Sequence, residues 1–168
     1  MIYIGIDPDT KATGIGVVKG GKAVQALSAT ARGRTAYDRV EDMAFAIREC
    51  LGLVQATTAA YSDQVIVAIE WQKIRAGENA RKAQNIADLL GIAYLAVSAV
   101  HLVFPLAKIL RPLPAEWKGT IPKAVCTKRI ITKLNLNEPD SVTTPLPKTQ
   151  QSHAIDGLGL ALWASKKG

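Results

Sequence analysis

Two carboxylates occupy matched positions in this chain. The run IYIGI at 2–6 is followed by Asp7, and the run VIVAI at 65–69 by Glu70. Parallel neighbouring strands built from these runs bring both acids to one sheet edge, where ligand sites of α/β sheets lie. Two anions held together there repel and resist burial, so they stay ionised when a cation sits between them. A third acid, Asp156, follows His153 by three residues, a spacing that projects both side chains from one helix face. Three carboxylates and one imidazole are hard donors that suit Mg²⁺ or Mn²⁺ better than a structural zinc. Two such ions can activate water and steady the leaving oxygen in phosphodiester cleavage. Asp7, Glu70, His153 and Asp156 are therefore candidate metal ligands and catalytic residues of a nuclease. Asp9, beside Pro8, reads as a turn residue, and His101 as a structural histidine.

The elements that position these groups follow from apolar periodicity. The run at 2–6 is a buried strand. TGIGVV at 13–18 is a second, and a Gly20-Gly21 hairpin leads into a third at 22–30. Val40, Met43, Ala44, Ile47, Leu51 and Val54 recur at three- and four-residue steps, predicting a helix over 37–60. The 65–69 run lacks alternation, as a parallel strand covered on both faces does. A second helix is expected over 79–90, stopped by Gly91, and a fifth strand over 94–100. Four prolines make 105–122 loop-rich, 123–134 is helical, and 135–149 is a polar connector, the one candidate for mobility. The last helix runs over 152–165 with Ser152 as N-cap. There His153 and Asp156 fall in the first turn, with Ile155, Leu158 and Leu162 opposite them to dock on the sheet. This order is an α/β fold: a three-strand antiparallel meander plus two parallel strands in one mixed sheet flanked by helices.

Composition narrows the class. The 168 residues, 48% hydrophobic and 21% charged, suit a single domain with its own core. The net charge of +7 and a pI near 9.5 favour an anionic partner, nucleic acid first. Cys50 and Cys126 lie in no metal-binding or disulfide pattern and read as reduced thiols. The longest apolar stretch, 91–106, is broken by Ser98, His101 and Pro105, so no membrane span is expected. With no signal-peptide pattern at the N-terminus, the expected location is the cytoplasm.

Three segments resemble, in order, the motifs of RuvC-type Holliday junction resolvases, nucleases of the RNase H-like superfamily. They are GIDPDTKATGIGVV at 5–18, VIVAIE at 65–70 and HAIDGLGLALWA at 153–164. The short chain, together with PAEWKGTIPKAV at 114–125, is most similar to the phage-encoded branch, which implies a bacterial host cytoplasm. The resemblance spans nearly the whole chain. It implies an RNase H-like five-stranded mixed sheet whose first and fourth strands are parallel neighbours. It aligns Asp7 and Glu70 with the first two catalytic acids and His153 and Asp156 with the final pair, whose first member is often Asp. It further implies two Mg²⁺ ions per site, replaceable by Mn²⁺, a homodimer, and four-way DNA junctions cut to 5′-phosphate and 3′-hydroxyl ends.

Basic residues cluster after the strands that carry the acids. Seven lie between Lys108 and Lys133 against Glu116 alone, and four between Lys73 and Lys82 against Glu78. Such a rim suits phosphate binding. Lys118 and Lys123, inside the matching stretch, lead the candidate DNA contacts, followed by Lys73, Arg75, Arg81 and Lys128. Trp71 is equally a base-stacking and a packing residue, and Trp163 reads as structural. Two other classes stay in view. A non-catalytic binder of branched nucleic acid could keep this fold. A sugar kinase or actin-like ATPase also opens on a strand, an Asp and a hairpin, but Pro8-Asp9-Thr10 lacks the glycine that lets phosphate approach the backbone.

Overall fold

The computed structural model describes residues 1–33, 35–58, 64–73, 77 and 79–167. Strands β1 (Ile2–Asp7), β2 (Ala12–Lys19) and β3 (Lys22–Thr30) are followed by α1 (Ala36–Thr58), β4 (Val65–Ile69), α2 (Ala80–Val103) and β5 (Lys108–Leu110). Three helices close the chain: α3 (Pro114–Trp117), α4 (Lys123–Leu134) and α5 (Lys148–Ala164). The sheet order is β3-β2-β1-β4-β5. β1 pairs antiparallel with β2 and parallel with β4, and β4 pairs parallel with β5. The expected mixed sheet is therefore present, and both hairpin glycines take positive φ, 58° and 76°.

Alternation of side chains divides the strands between two helical layers. Ile2, Ile4, Ile6, Val65, Val67 and Ile69 join Met43, Ile47, Leu51 and Val54 of α1 and Ile92, Ala96 and Val100 of α2 in one core. Tyr3, Ile66 and Ala68 face the other way, onto Leu160 and Ala164 of α5. Asp7 and Glu70 continue that second series, so the period of two delivers both acids to the α5 side. The register pairs Ile6 with Ile69, and the Glu70 amide donates to the Ile6 carbonyl at 3.0 Å.

α5 lies on the sheet backbone to backbone. A Cβ placed on Gly14 would run into the His153 carbonyl, and one on Gly5 into the Gly157 carbonyl. Gly157 returns the contact, where a Cβ would sit 2.8 Å from the Gly16 nitrogen. Only glycine permits so close an approach, and it sets the height of His153 and Asp156 above the strand ends.

Several expectations change. Gly91 does not stop α2, which continues to Val103. A glycine costs a helix interior only about 1 kcal/mol, and the buried set Ile92, Ala93, Ala96, Val97, Ala99 and Val100 has helical spacing. The stretch 94–100 is thus helix, and the fifth strand is the three residues at 108–110, inside the segment read as loop. The uninterrupted α2 is also long and apolar enough, by length and composition, to cross a bilayer, against the expectation. Here it packs on α1 and the sheet. α5 starts at Lys148 after Pro147, so Ser152 is no cap. His153 and Asp156 consequently occupy the second and third turns. Within the connector Leu136 and Thr143 are buried. Both cysteines are free, and burial pushes the Cys50 thiol up to about 11.

Candidate functional site

The end of β1, the residue after β4 and the second and third turns of α5 meet at one edge of the sheet. Asp7, Glu70 and Asp156 are 9%, 6% and 4% exposed there. Burial pushes the Asp7 carboxyl up to about 6. The Glu70 and Asp156 carboxylates add to that rise, while His153 and Lys118 oppose it. Three acids from distant parts of the sequence therefore share one electrostatic environment.

Each acid has a different partner. Glu70 accepts from the Trp117 indole at 2.6 Å and from Gln72 at 2.8 Å, and pairs with the Lys118 ammonium at 3.1 Å. Asp156 pairs with the Lys123 ammonium at 2.9 Å, and that carboxylate holds the Lys123 pKa above its usual value. Among the described residues, the side chain that pairs with Asp7 is the imidazole of His153, with Nδ1 at 3.6 Å from its carboxylate oxygen. That distance is too long for a hydrogen bond, and the buried Nδ1 has no other hydrogen-bond partner among the described residues. Asp7, as the acceptor facing the ring, is still the main cause that raises the His153 pKa, with the charges of Asp9 and then Asp7 adding to it. Asp9 itself is the turn residue it was read to be: its carboxylate accepts from the Lys11 amide at 2.8 Å.

Lys118 and Lys123, expected at phosphates, are thus drawn onto the acids. Their sequence offered charge but no hint of which anion they would meet. Trp117 and Gln72 were missed as partners of Glu70, because an indole or amide carries no motif of its own. Trp71 goes to the opposite face from Glu70. It packs at 4.9 Å against Tyr94, lies 5.1 Å from the Arg111 guanidinium, and joins the α1–α2 core. Lys73, Arg81 and Lys128 are exposed, and Arg75 lies outside the described residues.

The donor set suits a hard divalent cation: three buried carboxylates, one of them with no ammonium partner among the described residues, and an orphaned imidazole nitrogen. No three His, Cys, Asp or Glu side chains among the described residues are gathered closely enough to hold a metal ion, and ammonium groups pair with Glu70 and Asp156.

Thermus thermophilus RuvC in complex with a Holliday junction substrate superposes with a TM-score of 0.68 at 18% identity, covering 100% of this chain and 97% of that one. The fold is that of RuvC. A second Thermus thermophilus RuvC structure gives 0.57 at 20% identity, over 98% of this chain and 93% of that one. No family model and no curated protein matches the sequence. At 18–20% identity the likeness to RuvC is one of fold.

Proposed function

We propose that this protein is a metal-dependent, structure-selective DNA endonuclease that resolves four-way junctions. The observation that carries the reading is the meeting of Asp7, Glu70 and Asp156 with His153 at one sheet edge. The RuvC fold, one of whose solved examples holds a junction, supports the choice of substrate. Asp7, Glu70, His153 and Asp156 would hold two Mg²⁺ ions, with Mn²⁺ able to substitute. When bound, these ions supply a nucleophilic water and charge stabilisation at the leaving oxygen, giving 5′-phosphate and 3′-hydroxyl ends.

The remaining steps belong to the chain itself. The rigid seat of α5 on β1 and β2 fixes the carboxylates before DNA arrives, which saves reorganisation. Lys118 and Lys123 neutralise the acids at rest and stand beside any phosphate that enters, where their charge opposes the negative charge developing on it. His153 keeps a proton on its ring longer than a free imidazole does and can pass it within the site. A homodimer would present two such sites to opposing strands. The compact form fits the phage-encoded branch of these resolvases.

A second reading, a non-catalytic binder of branched DNA, draws support from the two ammonium–carboxylate pairs, which balance the acids without metal. One assay separates the two. A four-way junction, a replication fork and a linear duplex are incubated at fixed salt with Mg²⁺ or Mn²⁺. The endonuclease reading expects the junction to be cut, and Asp7→Asn to abolish cutting while binding persists. Junction binding without cleavage in either metal would support the binder instead.

A further inference from the structure

Beside the acids, α3, α4 and α5 enclose a groove of about 1000 Å³ that the proposed chemistry does not use. Trp117, Ile130, Leu162 and Trp163 are among its apolar lining. Lys118, Lys128, Arg129, Lys133 and Lys166 also line it, with no acid among the described lining residues. The groove starts at the site, because Trp117 and Lys118 both touch Glu70. It ends at Lys133 and Lys166, past the C-terminus of α5. From Asp156 to Ala164 that helix rises about 12 Å, room for roughly three nucleotides at the ~3.4 Å spacing of a stacked strand.

Cations without acids along an apolar, tryptophan-bearing channel match a polyanion that also has flat apolar faces. An unpaired DNA strand is such a ligand: its phosphates meet the ammonium groups and its bases stack on indole. A duplex hides its base faces and cannot use the indoles. Lys133 and Lys166 crowd each other, and Lys133 lowers the Lys166 pKa. Two ammonium groups side by side are relieved by an anion between them.

We propose that the groove between α4 and α5 binds an unpaired DNA strand, which enters beside Glu70 at Trp117 and Lys118 and runs to Lys133 and Lys166. The inference rests on the reading of this protein as a DNA enzyme and narrows its substrate. Branched DNA with a few unpaired nucleotides at the branch point fills both the groove and the acidic site. Fully paired DNA fills only the latter.

The test measures binding of a short fluorescein-labelled oligothymidylate to the full chain by anisotropy, in EDTA, across a salt series. Lys133→Glu with Lys166→Glu is expected to weaken binding about tenfold or more and to reduce the salt slope by about two. Arg39→Glu with Arg48→Glu makes the same charge change on α1, on the sheet face opposite α5. It is expected to stay within about twofold, because no described residue of α1 lines the groove. Tryptophan fluorescence should fall as bases stack. Equal losses in the two double variants, no binding by the wild type, or equally strong displacement by an oligoglutamate peptide would each overturn the proposal. Junction cleavage is followed separately in Mg²⁺. A wild type that binds oligothymidylate as expected yet cuts no junction sinks the nuclease reading and leaves the groove standing.

Discussion

The fold holds the Asp7 carboxylate at a cost. It titrates at about 6 in the folded chain against 3.8 as a free side chain. Between those values the folded state binds more protons than the unfolded one, so this contribution to stability falls as pH rises. His153 acts in the same sense: its raised pKa favours the fold below 6.5 and loses that effect as pH climbs through the folded value. In EDTA, Asp7→Asn should therefore stabilise the protein near neutral pH by on the order of 1–3 kcal/mol. It should also flatten the fall in melting temperature between about pH 4 and pH 6. A variant that melts lower than wild type at neutral pH, with an unchanged pH profile, would contradict this account. Lys123 gives a second expectation. Its side chain is 62% exposed, so its pairing with Asp156 is worth little in water, yet it competes with any other cation for that oxygen. Lys123→Met should tighten Mg²⁺ binding up to about fivefold by calorimetry in the absence of DNA, while cleavage falls.

Helix α5 shows how two glycines of the same chain can differ. Gly157→Ala forces a methyl group against the backbone of β2 and should destabilise by about 3 kcal/mol in urea denaturation. Gly91→Ala meets nothing within 4 Å in the middle of α2 and should stabilise by about 1 kcal/mol. Gly91 is also where reading the sequence failed. Taken as a helix stop, it divided α2 and produced a strand at 94–100, although Ala93, Ala96 and Ala99 favour helix. The true edge strand, Lys108–Leu110, has too few residues to show alternation and lies among prolines. The strands carrying Asp7 and Glu70 were legible because an apolar run ending in an acid is a local pattern. The spacing of His153 and Asp156 was legible too, but their turn was not: α5 begins four residues early, after Pro147, and its first turn has no apolar stripe. The partners of the acids were the least legible part. Two of the side chains that meet at Glu70, Trp117 and Lys118, are 47 and 48 residues away in sequence.

At the scale of the whole molecule, charge and apolar surface separate. The cation-lined groove lies beside α4 and α5. Across the sheet, Tyr94, Ser98 and Leu102 of α2 form an exposed stripe at four-residue spacing, with Tyr94 60% and Leu102 72% exposed. A proposed homodimer has a natural seat there. Leu102→Glu should shift the protein toward monomer in sedimentation equilibrium without lowering its melting temperature, since the side chain contributes little to the core. A monomeric wild type would show that the stripe seats no second copy. The glycine contact between α5 and the sheet bears on a different matter. Because the helix rests on bare main chain at Gly5, Gly14, Gly16 and Gly157, that height depends on these glycines rather than on the shape of any larger side chain. Such a contact asks little of residues elsewhere in the sequence, in keeping with a likeness of fold to RuvC at only 18–20% identity.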